Sequence, residues 1–161
     1  MTVREYNQCV DTLADRIFRF VLKHIKDRDI SNDIVQDSFL KLWKHADNVD
    51  YEKARSYLFT TAYHTLIDYT RKNKYVSPYD ASMESNHSVD HGYSDLKEIL
   101  DEALSKLPEI QRAVVLLRDY EGYAYKEIAD ITGLNETQVK VYIFRARSSL
   151  KSYIVSMDRV I

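Results

Sequence analysis

Apolar residues in this chain recur at steps of three and four almost from end to end, and no segment alternates apolar and polar residues for long enough to make a convincing strand. Tyr6, Val10, Leu13, Ile17, Phe20 and Val21 form one stripe. Ile34, Val35, Leu42 and Trp43 form a second after a predicted helix cap at Ser31, and Tyr57, Leu58, Thr61, Ala62, Leu66 and Tyr69 form a third. After a gap the period returns with Leu96, Ile99, Leu100, Ala103 and Leu107. Pro108 is then expected in the first turn of a new helix, where its missing N–H leaves no bond unmade, and Ile110, Val114 and Leu117 continue that helix toward Gly122. The spacing predicts an all-α fold. Scarcity of turn formers supports it: with 3 glycines and 2 prolines in 161 residues, the chain cannot build a glycine-rich phosphate loop or the many tight hairpins of a β-sandwich.

The gap in the pattern divides the chain. VSPYDASMESNHSVDHGY, ending at Tyr93, has no period and is rich in Ser, Asn and Asp, so it reads as a flexible linker over 77–93 between a helical domain at 1–76 and another at 94–161. The lone cysteine, Cys9, excludes an internal disulfide and a cysteine zinc cluster, and its place beside the first apolar stripe predicts simple packing. The first twenty residues interleave charges too often for a signal peptide or a membrane span, so a cytoplasmic protein without membrane insertion is expected. Charge is uneven: Lys97, Lys106, Arg112, Arg118 and Lys126 stand against nine acids over 94–135, whereas Lys140, Arg145, Arg147 and Lys151 stand against Glu136 alone over 136–151. A basic helix closing an acidic half suits a nucleic-acid reader that also has a protein-facing surface.

The sharpest local signal lies in YKEIADITGLNETQVKVYIFRARSSL, residues 125–150. A short helix carrying Ile128, small Ala129 and Ile131 meets Gly133, which can adopt the left-handed turn conformation. Asn135 then caps a second helix, Gln138 is spaced to complete a capping box, and Val139, Ile143 and Leu150 make the inward stripe. This is the pattern of a helix-turn-helix. Its second helix would offer Lys140, Val141, Phe144 and Arg145 to a DNA groove, with Gln138 and Arg147 nearer the backbone. A helical hairpin with a solvated basic face shares part of the pattern. In the first domain, YLFTTAYHTLIDYTRKNKY sets Tyr57, Phe59, Tyr63, Tyr69 and Tyr75 among Arg71, Lys72 and Lys74. Aromatic rings interleaved with bases suit an unpaired strand, because rings stack on bases while cations hold the backbone. An aromatic core helix with a solvated basic end would look similar.

Taken together, SNDIVQDSFLKLWKH (31–45), RSYLFTTAYHTLIDYTRKNK (55–74), LPEIQRAVVLLRDYEGYAYKEIADITGL (107–134) and ETQVKVYIFRARSSLK (136–151) resemble, in order, the segments of extracytoplasmic-function sigma factors, the small sigma subunits of bacterial RNA polymerase. The resemblance covers nearly the whole chain. It departs at Tyr57, where that family usually has Trp, at His64, where Asn is usual, and at Val141, where small polar residues are common. The resemblance implies a sigma region 2 helical bundle followed by a region 4 helix-turn-helix. The first would dock on the clamp helices of the polymerase core through Asp33, Gln36, Asp37, Leu40, Trp43 and Lys44, leaving Ile34, Val35, Phe39 and Leu42 for the domain's own core. It would capture the melted −10 strand with Tyr63, His64, Tyr69, Arg71, Lys72 and Lys74. The second would read the −35 duplex with Gln138, Lys140, Val141, Phe144, Arg145 and Arg147, while the linker threads toward the active-site cleft and an acidic surface faces the β flap or an anti-sigma factor.

Rival chemistry has less support in the residues. Glu84, His87, Asp90 and His91 have a faint zinc-ligand spacing but lie in the stretch with least helical pattern, so no metal or other cofactor is expected. Acids at Asp27, Asp29 and Asp33, or at Asp119 and Glu121, lack a companion Ser or His, so no catalytic residues are assigned. A transcription initiation factor therefore stands ahead of a stand-alone helix-turn-helix regulator, or of a sigma subunit recruited by a DNA-bound partner, with a helical enzyme last.

Overall fold

The structure, a computed structural model, describes residues 1–73 and 94–160, and every regular element among them is helical. Helix α1 spans Val3–Ile25, with the Glu5 N–H donating to Thr2 Oγ1 at 3.1 Å to cap its start. Its buried stripe is Cys9, Leu13, Ile17, Phe20 and Val21, so the cysteine packs as expected while Val10 is turned outward. Helix α2, Arg28–Lys44, begins a turn earlier than the sequence suggested. The Asp27 carboxylate accepts from Ile30 N–H at 3.0 Å, which leaves Ser31 inside the helix and fully buried rather than at its cap. Helix α3, Tyr51–Asn73, packs on both, burying Ala54, Leu58, Ala62 and Leu66.

The second half opens with α4, Ser94–Ser105, and α5, Glu109–Val115, with Pro108 standing just before α5 rather than within it. Arg112 closes the turn between them, donating to the carbonyls of Leu104 at 2.9 Å, Ser105 at 3.0 Å and Leu107 at 2.8 Å. A π-helical turn, Leu116–Tyr120, follows directly, with Glu121 N–H reaching back to the Leu116 carbonyl at 3.1 Å. Gly122, at φ 76°, then releases the chain into α6, Tyr125–Thr132, and α7, Glu136–Val160.

The helices belong to the two expected sets, but the sets do not stand apart. Buried residues of both form one continuous hydrophobic cluster. Phe59 meets Tyr123 edge to face, with ring centroids 5.6 Å apart, and the Arg55 guanidinium lies 4.3 Å from the Tyr123 ring centroid. Arg55 also donates to the Glu121 carbonyl, while Arg16 Nε donates to the Glu121 carboxylate at 2.9 Å. Farther along α1, Lys23 pairs with Asp101 at 3.4 Å. The proposed linker at 77–93, and with it the His87, Asp90 and His91 string, lies outside the described residues.

His24 sits at this junction, partly exposed as a residue but with its Nε2 buried, between the Phe20 ring and Arg112, whose guanidinium is 3.5 Å from His24 Nδ1. Burial first, and the neighbouring cation second, push its pKa down from 6.5 to about 3. The unfolded chain therefore takes up a proton below pH 6.5 that the folded chain refuses. The stability this neutral histidine permits is complete above pH 6.5 and is lost as pH falls toward 3, at up to about 1.4 kcal/mol per pH unit. Urea unfolding at pH 7 and pH 5 should show a loss of about 2 kcal/mol from this site, and His24→Phe should flatten the profile by that amount. An identical profile in the variant would exclude His24 as its source.

Candidate nucleic-acid interface

The turn between α6 and α7 is built from its own neighbours. Glu127 accepts from Ala124 N–H at 3.0 Å at the start of α6. At its end Gly133 has φ 80° and donates to the Ala129 carbonyl at 2.8 Å. Asn135 Oδ1 accepts from Gln138 N–H at 2.7 Å and Gln138 Oε1 accepts from Asn135 N–H at 3.1 Å, a reciprocal box that fixes where α7 begins. Val139 and Ile143 are buried against α5 and α6, and Leu150 is partly buried. Ala146, overlooked in the sequence, is buried too, and the 139, 143, 146, 150 spacing marks it.

The opposite face of α7 carries Gln138, Lys140, Val141, Phe144 and Arg145, all exposed, with Phe144 at 72% and Val141 at 40%. Lys140 and Arg118 flank the Tyr125 ring at 5.5 and 4.3 Å from its centroid, which steadies two cations beside the helix start. Arg147 is differently employed. Its Nε and Nη2 meet the two Asp119 oxygens at 3.0 and 2.5 Å, so this guanidinium braces α7 on the π-helical turn instead of standing free on the groove-facing side. Nothing in the local sequence pairs residues so far apart.

In α2 the residues Asp33, Gln36, Asp37, Leu40, Trp43 and Lys44 share one exposed stripe, while Ile34, Val35, Phe39 and Leu42 are buried behind it. Leu40 is 50% and Trp43 49% exposed. The Tyr6 ring meets Trp43 edge to face at 5.0 Å and its hydroxyl donates to the Phe39 carbonyl at 2.9 Å, so α1 holds the indole in place.

On α3, His64, Arg71 and Lys72 are exposed and Tyr69 is half-buried. Phe59 and Tyr63 depart from the aromatic-and-base reading. Phe59 is fully buried and Tyr63 is 6% exposed, with burial pushing the Tyr63 phenol up to about 12, because this side of α3 faces the second half of the chain. In this packing no base can stack on either ring, and His64, edge to face on Tyr63 at 5.7 Å, is the aromatic group presented above it. Lys74 and Tyr75 lie outside the described residues. Among the described residues no cluster of His, Cys, Asp and Glu is placed to hold a metal ion, and no helix is long and apolar enough to cross a membrane.

Residues 9–75 match the family Sigma-70 region 2, and residues 97–150 match Sigma-70, region 4. That order on this two-part helical frame defines the class, a sigma subunit of RNA polymerase. Two Bacillus subtilis proteins narrow it: the ECF RNA polymerase sigma factor SigM is 31% identical, over 94% of each chain, and the RNA polymerase sigma factor SigV is 30% identical, over 93% of this chain and 91% of its own. The chain belongs to the ECF RNA polymerase sigma factors and is a promoter-recognising transcription initiation factor. Among solved structures, the sigma factor RpoE of Bartonella quintana, in complex with the anti-sigma factor NepR, matches with a TM-score of 0.79 and 25% identity over 94% of this chain and 98% of its own. CnrH, in complex with the cytosolic domain of CnrY, shares the fold with a TM-score of 0.72 at 22% identity, over 96% of this chain and 90% of its own.

The Arg147 brace has a measurable consequence. With Arg147 held by Asp119, three cations of 136–151 remain for phosphates, Lys140, Arg145 and Lys151, and log K for duplex DNA should fall with log[salt] at a slope of about −2.7. Asp119→Asn should release Arg147 and steepen the slope toward about −3.6 in a salt titration of the full chain. Equal slopes would show that Arg147 contacts phosphate in both proteins or in neither.

Proposed function

We propose that the chain works as a two-part promoter reader without chemistry of its own, acting in the cytoplasm. Residues 1–76 dock on polymerase core through the Asp33, Gln36, Asp37, Leu40, Trp43 and Lys44 stripe. Base capture at the −10 element falls to His64, Tyr69, Arg71, Lys72 and Lys74, and Tyr63 supports His64 from below. Residues 94–161 place α7 in the major groove at the −35 element, and 77–93 links the two. The observation that carries this reading is the self-capped helix-turn-helix with an unpaired Lys140 to Arg145 face, since a mere helical hairpin would have no need of an exposed Phe144 beside two cations. The stripe on α2 supports the docking half of the reading, because a half-exposed indole and leucine among charges are what the centre of a protein interface requires. RpoE of Bartonella quintana binds an anti-sigma factor, and we extend to this chain an inhibitory or recruiting protein partner of that kind.

Promoter reading also requires the packed halves to part. Elements at −35 and −10 are about 25 base pairs apart, roughly 85 Å of duplex, whereas a compact chain of this length has a radius of gyration of roughly 15 Å. The junction around Glu121 must therefore open on the polymerase, leaving the closed form as that of the free chain. Two exposed stripes, one per half, remain accessible in the closed form, so core docking can precede opening.

Two experiments test these steps. Asp37→Lys combined with Gln36→Ala should weaken core binding at least tenfold with an unchanged helical spectrum, and undiminished core affinity would refute the docking assignment. Donor and acceptor dyes on Asn48→Cys and Ser149→Cys should transfer energy efficiently in the free chain and lose most of that transfer when core enzyme and promoter DNA are added. Unchanged transfer in an active complex would rule out opening. Tight sequence-specific duplex binding by a dimer of the chain, with no need for core, would favour a stand-alone regulator.

A further inference from the structure

Val141 and Phe144 make the reading face of α7 unusual in chemistry. They are one turn apart and lie on a single ridge, Val141 40% and Phe144 72% exposed, yet neither contributes to the buried core. Lys140 and Arg145 stand on either side, and each leans on a ring of its own half, Lys140 on Tyr125 at 5.5 Å and Arg145 on Tyr142 at 5.9 Å. Between the cations the helix thus offers hydrocarbon, with no donor or acceptor at position 141 or 144. The ridge begins three residues beyond Gln138, which closes the Asn135 capping box, in the part of a recognition helix that reaches base edges.

In the major groove each base pair shows a distinct pattern of donors and acceptors, and the thymine C5-methyl is the one apolar group among them. A valine and a phenylalanine cannot read a donor or an acceptor, and pressing them on one would strip it of water without a replacement bond. They gain by covering methyl groups. We propose that Val141 and Phe144 read thymine methyls in the −35 element, so that this chain selects thymines at two nearby positions of the duplex by apolar contact, with Lys140 and Arg145 supplying the polar and phosphate contacts around them. The inference rests on the proposed placement of α7 in the −35 groove and adds the class of base it selects.

The test uses the full chain on polymerase core. Promoters recovered from a pool randomised over the −35 region should carry thymines, on either strand, at two positions within a few base pairs of each other. Replacing each of those thymines by uracil removes the methyl and nothing else, and should lower initiation roughly fourfold per site, the effect of one buried methylene-sized group. Cytosine at the same position should be improved by 5-methylcytosine. Val141→Ser should abolish the difference between thymine and uracil at one site, and Phe144→Ser at the other; both residues are exposed, so the helix should survive either change, and circular dichroism checks that it does. If scrambling the −35 region abolishes initiation but uracil is as good as thymine at every site, the methyl reading is wrong and groove reading stands. If scrambling has no effect, groove reading by α7 fails and the methyl reading fails with it.

Discussion

Glu121 and the three side chains around it decide how this molecule holds together. Its carboxylate, on a side chain 10% exposed, takes the Arg16 guanidinium, while its carbonyl takes Arg55, and the Arg55 guanidinium sits over the Tyr123 ring, which in turn meets Phe59. Removing charges from water is expensive, and an ion pair at such a depth repays the cost only when hydrogen bonds and packing are good on every side. Here they are good but incomplete: Arg55 Nε is buried without a partner. Arg16 and Arg55 fix which surfaces meet, apolar packing joins those surfaces, and the unmet Arg55 Nε lowers the cost of parting them where water or a partner can satisfy it.

Within each half, by contrast, the functional faces are held by short-range devices. Tyr6 clamps Trp43 from α1, and Arg112 seals the α4 end with three carbonyl contacts. The Asn135 and Gln138 box sets the start of α7. In α2 and α7 the inward side is buried and mostly apolar, with Phe39 and two serines among the aliphatics of α2, so the outward side can carry whatever chemistry its partner requires. On α2 that is a mixed apolar and charged stripe, suited to protein. On α7 it is cations bracketing hydrocarbon.

How much of this was legible in the sequence depends on the distance over which each signal acts. The Asn135 cap, the Gly133 turn and the α7 stripe are set by residues three or four apart, and those readings match the structure. Ser31 is not the cap because Asp27, an equally good cap residue four positions earlier, accepts from Ile30 N–H and starts the helix at Arg28, so Ser31 already lies inside it. The π-helical turn has no periodic signature, and Pro108 and Gly122 bracket it without showing which hydrogen bonds lie between. The burial of Tyr63 and Phe59 is hidden for a different reason: aromatics facing a second body and aromatics facing solvent have the same spacing, and only the partner surface on the other half tells them apart. The Arg147 pairing with Asp119 was hidden in the same way, since neither residue has a local cue for the other.

The π-helical turn would let the proposed opening leave the α7 face intact. Asp119 within it braces Arg147 of α7, and Tyr120 and Glu121, the next two residues, face Lys23 and Arg16 of the first half. One short segment thus carries two kinds of contact in opposite directions. The contact to α7 joins two residues of the same half, so parting the halves leaves it unbroken, along with the Glu127, Gly133 and Asn135 contacts that set the turn. What parting does break is the set reaching across: Arg16 and Arg55 on Glu121, Lys23 on Asp101, Phe59 on Tyr123 and Arg112 on His24. The polar contacts in this set can be replaced by water, while the apolar surface uncovered around Phe59 and Tyr123 needs a protein partner to cover it. The polar seam runs between the two exposed faces and not through either, so under the proposed function each face would reach its DNA element already formed and would gain affinity from being tethered to one polymerase.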